Sequence, residues 1–250
     1  MATEARVFVS PSGLERTMVL RGGVFHYLTH VLRLKPGARV TVLDGEGRQA
    51  QAQIQSVRAD EIELLAEEPT RATQVWPRIV LLCGILKGEK QDFVLQKATE
   101  LGASRIVPVQ CEHSVPKLLG ERGANKRSRW TEIVRHAAQQ CRRMDVPELD
   151  GVMAFSEALA CAEGRRLLLF EGKAPPVRVK LPPTGQAASI TLLVGPEGGF
   201  TKEEIAQAEA AGFAPVSLGP FVLRAETAVV AALSVVGYAW WEGASDDAGC

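Results

Sequence analysis

The segment Leu192-Leu-Val-Gly195-Pro196-Glu197-Gly198-Gly199-Phe200-Thr201 joins an apolar run to a helix start. ITLLV (190–194) has no charged residue, as in a strand buried on both faces. Thr201-Lys-Glu-Glu204 is a capping box, so a helix begins there, and Gly212 ends it. A buried strand that passes through a glycine turn into a helix is the repeating step of a parallel α/β sheet. Its turn lies at the carboxyl end of the strand, where open α/β sheets bind ligands. Glycine lets a ligand approach the backbone. A plainer reading is a turn that needs its glycines for geometry alone, and these residues leave both open.

The same alternation extends outward. IVLLCGIL (79–86), RIVPV (105–109), RLLLF (166–170) and PVSL (215–218) read as strands. Helices are expected at Lys90–Leu101, with Phe93, Val94 and Ala98 on one face, and at Asn125–Cys141, with Trp130, Ile133, Val134 and Ala137 inward and bases outward. Ser156–Glu163 and Ala225–Trp241 complete the set. A second glycine turn precedes the last helix: Leu218-Gly219-Pro220-Phe221-Val222-Leu223-Arg224-Ala225-Glu226-Thr227-Ala228. Glu226 suits a helix start and Arg224 does not, which suggests a ligand or a carboxylate partner for the arginine. A simple Arg–Glu pair is the plainer alternative.

The first 70 residues differ. RVFVS, TMVL, ARVTVLD, RQAQAQIQSV and EIELLA are short, often alternating strands, with Asp44-Gly45 as a hairpin turn. One short helix is expected at Gly23–Leu34, with Phe25, Leu28, Val31 and Leu32 as its apolar stripe. This part reads as a small β-barrel over 1–72. EEPTRATQVWP (67–77) is the linker, an α/β domain covers 73–242, and 243–250 is a mobile tail.

With 250 residues, 46% apolar and 23% charged, the chain can build a normal core, which excludes disordered and disulfide-scaffold classes. Its five cysteines form no CxxC and fit reduced thiols in a cytoplasmic protein. The uncharged run Thr227–Trp241 is too short for a bilayer span, so no membrane is expected. His26 and His30 have a metal-like spacing but no third ligand nearby, so no metal is expected. Neither a P-loop nor a GxGxxG fingerprint is present.

The net charge is zero but unevenly spread. Residues 1–58 hold eight Lys/Arg against four Asp/Glu, and residues 113–143 eight against two. Residues 151–250 carry seven bases and eleven acids. Two basic zones on a neutral chain point to a polyanion such as RNA.

Gly195-Pro-Glu-Gly-Gly followed by Leu218-Gly-Pro-x-x-Leu-Arg-x-Glu-Thr-Ala resembles the SPOUT (α/β-knot) methyltransferases, in the variant of the RsmE family. Val31-Leu-Arg33, Lys87-Gly-Glu-Lys90, Gln96–Gly102, Glu112-His-Ser114 and Val146-Pro147 agree in order and spacing. The likeness spans nearly the whole chain.

The resemblance implies an α/β fold whose C-terminal SPOUT domain is tied in a trefoil knot over a parallel sheet, behind a small PUA/OB-like RNA-binding barrel. It implies a cytoplasmic homodimer that uses S-adenosyl-L-methionine to methylate N3 of a uridine in the decoding region of 16S rRNA, in the small ribosomal subunit. The cofactor residues carried over are Phe170, Glu171, Leu193, Val194, Gly195, Pro196, Glu197, Gly198, Gly199, Leu218, Gly219, Pro220, Leu223 and Thr227, with Phe221 and Leu223 as an apolar wall for the adenine. Arg224 would stabilise the uridine anion; Glu226 and Glu197 are catalytic candidates whose roles stay open. RNA contacts would come from Arg6, His26, His30, Arg33, Lys35, His113, Arg142 and Arg143. The chain departs from the family pattern at 139–145, where an acid at 139 and Gly at 142 are usual and Gln139 and Arg142 stand here. A non-catalytic knotted RNA-binding or ribosome-assembly factor is the alternative, and the intact loops argue against it.

Overall fold

The computed structural model describes residues 5–71, 76–181 and 189–244. The chain forms two compact units: Met1–Gln74 with Ala138–Val146, and Val75–Ala137 with Pro147–Cys250.

In the first unit the strands are β1 (Ala5–Phe8), β2 (Thr17–Arg21), β3 (Arg39–Leu43), β4 (Arg48–Val57), β5 (Glu61–Ala66) and β6 (Thr70–Arg71), with α1 (Gly22–His26) after β2. The sheet order is β1-β3-β4-β5-β2, and β6 pairs with β4. Only β1–β3 is parallel. Alternation along β4 and β5 sends Ala50, Ala52, Ile54, Ile62 and Leu64 into one core with Val40 and Val42. Asp44 locks the β3–β4 hairpin: its carboxylate accepts from the Glu46 and Arg48 backbone N–H groups at 2.8 and 2.9 Å and from Arg48 Nε at 2.6 Å.

The expected helix over Gly23–Leu34 is shorter. After α1 the chain makes a π-turn over Tyr27–Val31, with Leu32 N–H donating to the Tyr27 carbonyl at 2.9 Å. The wider turn breaks the 3.6-residue phase. Phe25 and Leu28 stay buried while Val31 and Leu32 swing outward. Part of the expected linker is also structured, since β6 pairs with Arg48–Gln49; residues 72–75 lie outside the described residues. Ala138–Val146 joins this unit through Ala138, Met144 and Val146, which pack on Phe8 and Leu43, and through Gln139 Nε2, which donates to the Arg6 carbonyl at 2.6 Å.

The second unit holds β7 (Arg78–Gly84), α2 (Glu89–Glu100), β8 (Arg105–Gln110), α3 (Glu121–Gln140, whose last three residues belong to the first unit), β9 (Glu148–Leu149), β10 (Met153–Ala154), α4 (Phe155–Ala160), β11 (Arg165–Leu169), β12 (Ser189–Val194), α5 (Lys202–Ala210), β13 (Ala214–Val216) and α6 (Ala225–Ala244). Its sheet runs β10-β8-β7-β12-β11-β13, with β9 beside β8, and every pairing is parallel. The apolar runs of β7 and β12 are buried throughout. α4 and α5 cover one face through Phe155, Leu159 and Ala208, joined by Phe213 just after α5. α6 packs on β12 and on α2.

One helix face and one helix start differ from expectation. Phe93 is exposed, with Lys97 Nζ 5.9 Å from its ring centroid, because Val94, Leu95 and Ala98 form the inward stripe. α3 starts at Glu121 and Trp130, Val134 and Ala137 face inward. α6 continues through Ala244, so the expected tail starts inside it, and residues 245–250 lie outside the described residues.

Candidate active site

The loops after β11, β12 and β13 converge on a cavity of about 410 Å³. That is within the usual range of small-molecule sites, about 300–1,000 Å³. Val194, Gly195, Pro196, Glu197 and Gly199 form one wall. Phe170 and Glu171 form a second, and Leu218, Gly219 and Leu223 a third. Arg224 lines it as well. Leu193, Gly198, Pro220, Thr227 and Glu226 do not line the cavity. Leu193 is buried in the strand, and Thr227 sits on the exposed side of α6.

The first glycine turn is packed from outside. Gly84, at the end of β7, leaves room for it: a Cβ there would meet Pro196 N at 2.5 Å. A Cβ on Gly198 would meet His113 Cβ at 2.7 Å. His113 Nδ1 instead donates to the Gly198 carbonyl at 2.9 Å, so this residue supports the turn from within the unit. Thr201 Oγ1 accepts from Glu204 N–H at 3.1 Å and Glu204 Oε2 from Thr201 N–H at 2.9 Å, the reciprocal cap read in the sequence. Glu197 Oε1 accepts from Lys87 N–H at 3.3 Å and from Lys90 Nζ at 3.2 Å. Burial pushes the Glu197 carboxyl up, but these hydrogen bonds and the lysine charge outweigh it and hold the group below the usual carboxylate range.

The second turn is open. A Cβ on Gly219 would meet nothing within 4 Å, and Phe221 and Val222 are 81% and 73% exposed. Phe221 and Leu223 both line the cavity, with Phe221 the more exposed of the two. Among the described residues the Arg224 guanidinium has no hydrogen-bond or ion-pair partner. The Arg–Glu pair does not form. Glu226 turns to Lys90, its Oε2 buried without a hydrogen-bond partner and 4.0 Å from Nζ. Lys90 and Phe200 line the cavity without having been marked as site residues. The Lys87-Gly-Glu-Lys90 spacing was the available signal for Lys90. Burial pushes the neighbouring Cys83 thiol up to about 12, so it supplies no thiolate.

Residues 74–237 match the family described as RNA methyltransferase domain, and residues 20–67 the family described as RNA methyltransferase PUA domain. The chain belongs to the RNA methyltransferase family. Ribosomal RNA small subunit methyltransferase E of Bacillus subtilis is 30% identical over 89% of this chain and 90% of that protein. The Synechocystis protein of the same name is 33% identical over 92% and 76%. The crystal structure of ribosomal RNA small subunit methyltransferase E from Neisseria gonorrhoeae bound to S-adenosyl methionine superposes with a TM-score of 0.85 at 31% identity, over 95% of this chain and 98% of that one. A putative methyltransferase from Legionella pneumophila in complex with SAM gives 0.86 at 30%, over 96% and 99%. The parallel α/β sheet and the small N-terminal domain of this methyltransferase family are therefore as the sequence indicated.

The basic residues of this RNA methyltransferase lie in several places. His26 and His30 stack at 4.8 Å between ring centroids, exposed beside Arg33 and Lys35. Arg6 is half-buried in β1, with Nε and Nη2 shielded from solvent, so it presents less charge than expected. Arg142 is exposed, and Arg143 is held by Asp145 at 2.7 Å. Arg142 has φ +62°, a left-handed conformation that suits the glycine usual there. Among the described residues no group of three or more His, Cys, Asp and Glu could hold a metal. No described helix is long and apolar enough to cross a membrane.

Proposed function

We propose that this chain methylates N3 of a uridine in the decoding region of 16S rRNA, with S-adenosyl-L-methionine as methyl donor. The observation that carries the reading is an arginine, without a partner among the described residues, on the wall of a glycine-lined cavity at the strand ends. The cavity fits the donor. Gly199 and Gly219 leave their backbone open on the inner side, and Val194, Leu218 and Leu223 offer apolar surface to an adenine. Adenosylmethionine supplies the electrophilic sulfonium methyl.

The protein must activate uridine N3, which is a poor nucleophile while it carries its proton. Arg224 presents a permanent cation and a planar donor fork to the carbonyl oxygens flanking N3, where the anion's charge spreads. Glu197 is a weak proton acceptor, since its Oε1 already accepts two hydrogen bonds. Glu226 Oε2 accepts none but is buried beside Lys90 and off the cavity lining, so activation of N3 rests on Arg224. Residues 1–72 would hold the RNA through His26, His30, Arg33 and Lys35, with residues 73–242 carrying the transfer. A paired uridine hides N3, so the substrate is a flipped or unpaired base. Trefoil threading of the C-terminal segment, a homodimer and a cytoplasmic location belong to the same reading.

The test uses small ribosomal subunits from cells that lack the modification. These are incubated with the protein and methyl-labelled adenosylmethionine, and the RNA is digested to nucleosides. Labelled N3-methyluridine is expected. Label on another nucleoside, or none, overturns the assignment.

A further inference from the structure

Lys90 stands between two loops that are far apart in sequence. Its Nζ is 3.2 Å from Glu197 Oε1, in the first glycine turn, and 4.0 Å from Glu226 Oε2, two residues beyond Arg224. The backbone N–H of Lys87 also donates to Glu197 Oε1, so the Lys87–Lys90 segment holds the first turn at two points. A lysine in the first turn of α2 opposes the helix dipole. Its place there is explained by the two carboxylates it serves.

We propose that Lys90 is a positioning residue: one ammonium bridges Glu197 in the first glycine turn and Glu226 in the first turn of α6, and so fixes the Arg224 loop in register with the glycine turn that receives the methyl donor. The inference rests on the methyl-transfer reading above. Without the ammonium, two carboxylates that share one cation would face each other across the cavity wall, and the loops would separate. The other charged groups near them are Glu171 and Arg224 on the wall, while Cys83 beneath Glu197 stays a neutral thiol. Without Lys90 the Glu197 carboxyl loses part of what holds it low, so lowering the pH would protonate it and relieve the repulsion, and the defect would be sensitive to pH.

Two amides report on the loops with no RNA present. Gly199 N–H donates to the Pro196 carbonyl at 2.9 Å, and Ala228 N–H to the Arg224 carbonyl at 2.8 Å. Hydrogen exchange is followed in the full-length protein at pH 8 and pH 5, corrected for intrinsic rates. In Lys90→Met both protection factors are expected to fall together, about tenfold at pH 8 and less at pH 5. Lys90→Arg should restore both, and Glu197→Gln in the Lys90→Met background should restore part of the loss at pH 8. In the transfer assay Lys90→Met should lower kcat about tenfold with the KM for RNA unchanged. Unchanged protection at both amides overturns the proposal, as does an equal loss at both pH values or a failure of arginine to rescue. If Lys90→Met does not fold, Lys90→Arg and Glu197→Gln decide by the same two amides. A wild-type protein that transfers no methyl group overturns the proposed function, while the exchange result still decides Lys90.

Discussion

The two glycine turns face each other across one cavity and are built in opposite ways. The turn at Gly195–Gly199 is pressed from behind by Gly84 and His113 and anchored by Lys87 and Lys90. The turn at Leu218–Arg224 has exposed apolar side chains, an uncrowded Gly219 and an arginine with no partner among the described residues. A packed turn loses little entropy when a ligand binds and can serve as a preformed cradle. An exposed turn with an unsatisfied cation keeps its binding capacity for something outside the chain. The same glycine-rich signature thus marks a scaffold on one side and a working surface on the other.

Substitutions should separate the two roles. Arg224→Ala removes the charge that the open turn presents and breaks nothing inside the fold. We expect methyl transfer to fall by about 10²–10³, with cofactor affinity and thermal unfolding near wild type. A stability loss instead would mean that the guanidinium is structural and the contrast false. Gly84→Ala attacks the packed turn. Its Cβ would meet backbone at Pro196, which cannot yield as a flexible side chain would. A destabilisation of about 3 kcal/mol is expected in denaturant unfolding, together with weaker cofactor binding by calorimetry.

Much of this contrast could be read from the residues. Unbroken apolar strands and the Thr201–Glu204 cap announced the sheet and the helix after the first turn. The open turn's Arg224 stood out because a cation is misplaced at a helix start. What escaped was set at long range. Lys90 meets Glu197 and Glu226, which are more than a hundred residues away, and no local pattern reports that encounter. Ala138–Val146 joins the first unit through contacts with Phe8 and Leu43, which periodicity within one helix does not reveal. The π-turn after His26 moved Val31 and Leu32 out of a stripe drawn at 3.6 residues. Arg142 stands where glycine is usual, and its backbone keeps the positive φ natural to glycine.

The packed turn should also respond to pH through Glu197. Its folded-state carboxyl lies below the usual range, so the stability it contributes is fully present above the unfolded value of about 4.3. That contribution is lost as pH falls through the folded value. Glu197→Gln should therefore cost about 1 kcal/mol at pH 7, and the wild type and variant should converge only as pH falls through the lowered folded value. Parallel curves down to pH 3 would show that the glutamate acts by shape alone.

The smallest effect is expected at Gly219, and it is the most direct check on the contrast. Gly219→Ala places a Cβ in open space, unlike the same change at Gly84. Only the backbone opposes it, because φ is +148°, a value that side-chain-bearing residues rarely adopt. Part of that cost is offset by the lower entropy of the unfolded chain when alanine replaces glycine. A net loss of about 1 kcal/mol or less in denaturant unfolding follows. A loss as large as that of Gly84→Ala would mean that the second turn is packed as tightly as the first, and the difference in exposure between them would then carry no functional meaning.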